Sequence, residues 1–220
     1  MKQMKICVIL LALLLAAMVM VPMVSAAGEM KGDVSSPDVE LIKSLIGKNV
    51  SVGEYYEKVS PDTMKDMPLD LRKQLFQTKM EWPAPISEAD YKSVNTNSKS
   101  GFVATYSGIY GALSESGLNP VYGNLLIYGS NTYTDPSGTV FPYLSDMSTL
   151  MKWNAGINQW DPVDSKSHSG FFLSTNSASG NYYATPGIYT SFGTHAGTFP
   201  LGCYPMQYVM FTQGPLLDVY

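Results

Sequence analysis

The chain has 220 residues, 15% of them charged and 45% apolar, with fourteen basic and eighteen acidic side chains. Removing Lys2 and Lys5 with an N-terminal leader leaves twelve basic against eighteen acidic groups, a net charge of −6, which argues against nucleic acid and anionic lipid as partners because both select basic patches. Beyond that leader only Cys203 remains, so no internal disulfide is possible and stability has to come from packing.

The leader itself has three parts. Lys2 and Lys5 form a basic start, Ile6 to Val21 is an almost unbroken apolar run, and Val24-Ser25-Ala26-Ala27 supplies small residues at the spacing a signal peptidase reads. Residues 1–26 are therefore expected to be a signal peptide cleaved after Ala26. The apolar run is sixteen residues long, short of the roughly 18–20 that span a bilayer. A membrane is expected as a partner only through this leader, if it stays uncleaved. Cys7 precedes the apolar run and does not fit a lipid attachment site. The expected location is secreted, extracellular or at the cell surface.

The mature chain changes character near residue 100. Residues 28–100 hold twelve acids, ten bases and five aromatics, whereas residues 101–220 hold six acids, two lysines, no arginine and twenty-one aromatics. Aromatic and β-branched residues favour strands and charged residues do not. The shift predicts a small helical segment over 27–82, a linker over 83–100 and a β domain over 101–220. The linker begins Pro83-Ala84-Pro85 and continues through the polar run from Asn95 to Ser100.

Helix starts in the first segment carry local chemistry. Ser36-Pro37-Asp38 predicts a capping hydroxyl with proline at the first helical position, followed by Val39, Ile42 and Ile46 on one face and a stop at Gly47. Ser51 and Glu54 predict a capping box, with Val50 stapled onto Tyr55. Ser60-Pro61-Asp62 predicts a short turn, and Pro68 opens a last helix from Leu69 to Lys79. Leu41, Ile42, Leu45, Leu71, Leu75 and Phe76 are the expected core of this segment, which is too small to stand alone and is expected to lean on the β domain. Asn49-Val50-Ser51 is the one glycosylation sequon, placed where Asn49 should be exposed.

In the second segment, strands are expected at Phe102–Tyr106, Val121–Tyr128, Met147–Trp153, Asn158–Val163, Phe171–Thr175, Asn181–Thr185, Ile188–Phe192 and Met206–Thr212. Turns are expected at Gly129-Ser130-Asn131, Asp135-Pro136-Ser137-Gly138, Asn154-Ala155-Gly156, Ser179-Gly180 and Pro186-Gly187. This spacing predicts an all-β fold, an antiparallel β-sandwich of Ig-like architecture behind the helical segment, with a barrel as the alternative. Residues 107–120 carry no clear signal.

The stretch Ser51-Val52-Gly53-Glu54-Tyr55-Tyr56-Glu57-Lys58-Val59, then Met67-Pro68 and Met80-Glu81-Trp82-Pro83, resembles the front end of uncharacterised secreted proteins of methanogenic archaea. The run from Gly187-Ile188-Tyr189 through Gly193-Thr194-His195 and Thr198-Phe199-Pro200 is similar to their closing strands. The resemblance implies a short helical segment before a Ser/Thr/Tyr-rich β domain, and an exported protein. It implies no activity, ligand or catalytic residue.

The motifs of nucleophilic, metal and phosphate chemistry are absent: no Gly-x-Ser-x-Gly, His-Glu-x-x-His, Cys-x-x-Cys or glycine-rich phosphate loop. No catalytic residue, cofactor or metal site is therefore assigned. His168 and His195 read as solvated loop residues, and Cys203 as an inert, partly buried thiol lacking a neighbouring cation. Trp153 and Trp160 are candidate aromatic contact residues for stacking on sugars, against the default of core packing. The function expected is that of a non-enzymatic protein of the cell envelope or exterior, its β domain binding an envelope component or polysaccharide or making structural contacts. The alternatives are a carbohydrate or small-ligand binding module, and a hydrolase whose pocket is lined by two or more of Asp161, Asp164, His168 and His195.

Overall fold

Capping chemistry sets the helices that open the computed structural model, which describes residues 35–87, 90, 94 and 101–220. The expected leader and most of the 83–100 linker lie outside the described residues, which all belong to one compact unit, Gly32–Tyr220. Helix α1 (Val39–Leu45) is capped by Asp38, whose carboxylate accepts from the backbone N–H groups of Glu40 and Leu41. That corrects the expectation for Ser36: a carboxylate one residue before the helix reaches the free N–H groups directly. Helix α2 (Val52–Val59) has the expected capping box, with Ser51 and Glu54 bonded reciprocally. Helix α3 (Pro61–Asp66) carries proline at its first position, and α4 (Leu69–Gln77) follows Pro68.

The remaining chain is β. Among the described residues it forms β1 (Gly101–Ser107), β2 (Tyr110–Val121), β3 (Leu125–Asp135), β4 (Phe141–Asn154), β5 (Gln159–Leu173), β6 (Thr175–Tyr183), β7 (Gly187–Thr198), β8 (Gln207–Gln213) and β9 (Leu217–Val219). One sheet has the order β1-β2-β3-β6. The other has the order β5-β4-β7-β8, with β9 pairing the far end of β7. All pairings are antiparallel. The protein is an antiparallel β-sandwich with a small N-terminal helical segment.

The second sheet is covered on both sides. Ile42, Leu45, Tyr55, Tyr56, Leu71 and Leu75 of the helices share one apolar cluster with Tyr143, Met147 and Met151 of β4, Trp160 of β5 and Phe192 of β7. The helices therefore have no core of their own: they complete the core on one face of this sheet. Leu41 and Phe76, expected in that core, are exposed; the Phe76 ring lies over Gly53 of α2 at the rim of the cluster. The opposite face of the same sheet meets the four-stranded sheet. Leu150, Tyr189 and Val219 pack there with Leu118, Leu126 and Tyr128, and Leu144, Phe199 and Tyr208 with Ala112 and Phe141. Pro162 is tolerated inside β5 because, among the described residues, β5 is an edge strand bridged on its outer side at Ser167 alone, and its ladder with β4 shifts register beside Pro162.

Several strand limits differ from those expected. Residues 107–120 contain most of β2, and Gly129-Ser130-Asn131 and Ser179-Gly180 are strand interiors, not turns. They stand opposite one another in the β3–β6 ladder, Gly129 against Ser179 and Tyr128 against Gly180. The Tyr128 ring occupies the space a side chain at Gly180 would need. The same cross-strand device recurs with Tyr106 over Gly111 and Tyr208 over Gly197. A ring laid over glycine restores the packing that glycine forfeits in a strand. The expected turns at Asp135–Gly138, Asn154–Gly156 and Pro186-Gly187 do lie at or beside strand ends.

Candidate functional site

The inner faces of the two sheets meet through a polar layer. In β4, Asp146 stands directly opposite His195 of β7 and His168 of β5. From the facing sheet come Ser114 and Ser116 of β2, Ser130 and Thr132 of β3, and Asn176 of β6; Thr212 comes from β8. Asp146 and His195 are fully buried, each 0% exposed, so every polar atom there needs a partner. Asp146 Oδ1 accepts from Thr132 Oγ1 at 2.6 Å and from His195 Nδ1 at 2.5 Å, and Oδ2 accepts from Asn176 Nδ2 at 2.7 Å. His195 Nε2 meets Thr212 Oγ1 at 2.7 Å, and Thr212 in turn meets Ser116 at 2.5 Å. Ser116 bonds Ser130 at 2.9 Å, and Ser114 bonds Thr132 at 3.0 Å. The layer closes at its edge through His168, whose Nδ1 lies 2.5 Å from Asn176 Oδ1. Gly193 makes room for all this: a side chain there would overlap Ser116, Thr212 and the His195 ring.

Thr212, His195 and Asp146 thus form a hydroxyl–imidazole–carboxylate chain, the order of groups that activates a nucleophile. Thr212 is nevertheless 3% exposed and its hydroxyl is already engaged by Ser116. A substrate from solvent has no route to it. His195, expected on a solvated loop, is instead in the centre of the sandwich, 0% exposed on β7.

The expected candidates are dispersed. Asp161 accepts from Asn154 Nδ2 at 2.8 Å and pairs with Lys43 of α1 at 3.3 Å. Asp164 pairs with Lys166 at 3.4 Å. Both precede His168 along β5, and these contacts tie them to Asn154, Lys43 and Lys166 rather than to the polar layer. Trp153 and Trp160, proposed as contact residues, are 8% and 2% exposed. Their rings meet edge-on at 5.2 Å, and Trp160 Nε1 donates to Ala84 O at 2.7 Å. Their pairing across β4 and β5 turns both towards the helices, so neither offers a face to a ligand. Asn49 is exposed beside the cap of α2. Cys203 is partly buried against the Phe141–Phe199 cluster.

A different surface is open. Alternate residues of the four-stranded sheet point away from the sandwich, and on that side Phe102, Tyr106, Tyr133 and Tyr183 are exposed. Gly117, Gly129 and Ser179 stand in one cross-strand row. Their small size leaves a trough of about 400 Å³, lined also by Glu115, Asn119, Ile127, Asn131 and Pro215. Glu115 accepts from Tyr133 Oη at 3.3 Å and Asn131 Nδ2 at 3.5 Å, and Asp135 accepts from Tyr106 Oη at 3.1 Å. The bond to Asp135 holds the Tyr106 phenol above its ordinary range; burial, then the Glu115 carboxylate, does the same for Tyr133. Both phenols stay protonated donors. Sequence reasoning missed this surface because glycine, serine and asparagine in mid-strand carry the same local signal as a turn.

Neither the family models, nor the curated proteins, nor the solved structures give a significant match to this chain.

Proposed function

We propose that this chain is an exported, non-enzymatic protein of the cell envelope or exterior whose four-stranded sheet binds polysaccharide. The observation that carries the reading is the outer face of that sheet: four exposed rings on the face that also carries a trough floored by Gly117, Gly129 and Ser179. Sugar rings present apolar C–H faces ringed by hydroxyls. Exposed phenyl and phenol rings match the first, and Glu115, Asn119 and Asn131 match the second. The rigid sheet holds these groups in place, which lowers the ordering cost of binding. The leader at 1–26 supplies the export. Burial of the Thr212–His195–Asp146 chain supports a role without turnover of a soluble substrate.

Sedimentation with insoluble envelope polysaccharides and a glycan array on the folded protein test this. Retention is expected, with loss on Tyr133→Ala and Phe102→Ala and no change on Tyr204→Ala, an exposed ring outside the sheet. Absence of retention on every polysaccharide fraction, or retention indifferent to Tyr133 and Phe102, would overturn the proposal.

A further inference from the structure

The polar layer brings together the parts of an internal reaction. Thr132 of β3 and Asn176 of β6 are direct cross-strand partners, both pointing inward, 1% and 3% exposed. Directly opposed residues of an antiparallel pair have Cβ atoms about 4.5–5.5 Å apart, so a bond between a short hydroxyl and a short carboxamide needs the two strands to close up by roughly 1 Å, to about the 3.8 Å separation of Cβ atoms that a cross-strand disulfide also requires. A single carboxylate holds both groups. Asp146 Oδ1 accepts the Thr132 hydroxyl at 2.6 Å, and Oδ2 accepts the Asn176 amide nitrogen at 2.7 Å. The orientation of that carboxamide is fixed by its partners, since Nδ2 also donates to the His168 backbone carbonyl at 2.9 Å. Its Oδ1 therefore faces His168 Nδ1 at 2.5 Å, which donates to it. Nucleophile, base, electrophile and a donor on the carbonyl oxygen are thus assembled in a site without bulk water.

The geometry points to a self-catalysed ester cross-link between Thr132 and Asn176. The Thr132 hydroxyl gives its proton to Asp146 as Oγ1 attacks Asn176 Cγ. His168 Nδ1–H stabilises the charge that develops on Oδ1. The proton passes from Asp146 to Nδ2, the Cγ–Nδ2 bond breaks and ammonia leaves. One C–O bond replaces one C–N bond, with no change in oxidation state and no other reactant. Asp146 and His168 are the catalytic residues, since each touches the reacting atoms. His195, which bonds Asp146 Oδ1 at 2.5 Å, is a positioning residue. The product staples β3 to β6 in a chain whose described part holds a single cysteine and so has no disulfide.

Intact-mass measurement of the purified, folded full-length chain tests this. The wild-type chain is expected to be lighter than its sequence by one ammonia. After tryptic cleavage at Lys99, Lys152 and Lys166, peptides 100–152 and 167–220 are expected as one joined species, separated by hydroxylamine, which cleaves esters. Thr132→Val and Asp146→Asn are expected to restore the full mass and release the two peptides. Thr132→Ser keeps the hydroxyl and is expected to keep the link, so the reading does not depend on a variant that fails to fold. An unmodified wild-type mass overturns the proposal. So does loss of ammonia with the two peptides separate, or its persistence in folded Thr132→Val, either of which marks a cyclic imide at an asparagine instead.

Discussion

Strand β4 presents two unlike faces, and the contrast separates two jobs that a core performs. Towards the helices it carries Tyr143, Met147, Met151 and Trp153. Towards the other sheet it carries Asp146 and Ser148 between Leu144 and Leu150. Apolar contact is non-directional and tolerates repacking at constant volume, so these four side chains contribute stability with little demand on register, although the same side also holds the hydrogen-bonded Thr149–Ser165 and Ser60–Ser167 pairs. The hydrogen bonds of Asp146 are directional. A slip of one residue would turn Asp146 towards Tyr56 and Met64 and leave Thr132, Asn176 and His195 without their acceptor. The inner side therefore selects a single alignment of two sheets, and its stability contribution depends on every partner being present.

The widest test acts on both faces at once. Burial pushes up the phenols of Tyr55, Tyr56 and Tyr143 on the helix side, Tyr143 to about 12, and those of Tyr128 and Tyr208 on the inner side. A phenol whose ionisation is raised by folding contributes fully below its unfolded value near 10 and loses that contribution as pH rises towards the folded value. Each such tyrosine costs about 1.4 kcal/mol per pH unit in that window. Cooperative alkaline unfolding between pH 10 and 12 is expected by circular dichroism, and Tyr143→Phe is expected to shift it upward. Next in size, Asp146→Ala leaves the buried His195 without its acceptor, and also leaves β3 and β6 unjoined if the cross-link forms; it is expected to cost at least ~3–5 kcal/mol in chemical denaturation, and a cost below that of a surface substitution would dissolve the contrast drawn here. Leu71→Ala, on the helix side, is expected to cost ~2–5 kcal/mol without disturbing the His195 imidazole resonances, whereas Asp146→Ala should shift them. Smallest is Ser51→Ala, which removes the α2 cap, belongs to neither face and is expected to cost about 1 kcal/mol.

Legibility in the sequence follows the same divide. The helix side was readable: Ile42, Leu45, Leu71 and Leu75 fall at helical spacing, and the Ser51–Glu54 box marks its own helix. The sandwich class was readable from aromatic and β-branched runs. The inner layer was not, because burial is normally inferred from apolar side chains and here Ser114, Ser116, Ser130 and Thr132 occupy inward positions. Residues 107–120 therefore gave no strand pattern, and Gly129-Ser130-Asn131 read as a turn. His195 carried no signal of its own, since its partners Asp146 and Thr212 are brought to it only by cross-strand pairing. The exposed trough was hidden for a related reason: its floor exists only when Gly117, Gly129 and Ser179 align across three strands.

Sandwiching β4 and β7 between the helices and the facing sheet has a consequence for how the molecule breathes. Loosening of the helices alone bares one side of these strands but leaves their backbone ladders paired with β5 and β8. Detachment of the facing sheet alone does the same from the other direction. Amide protons at Met147, Leu150, Phe192 and Ala196 can then meet solvent only when the whole molecule opens, so their deuterium uptake should report global stability while that of β1 and β6 reports local fraying.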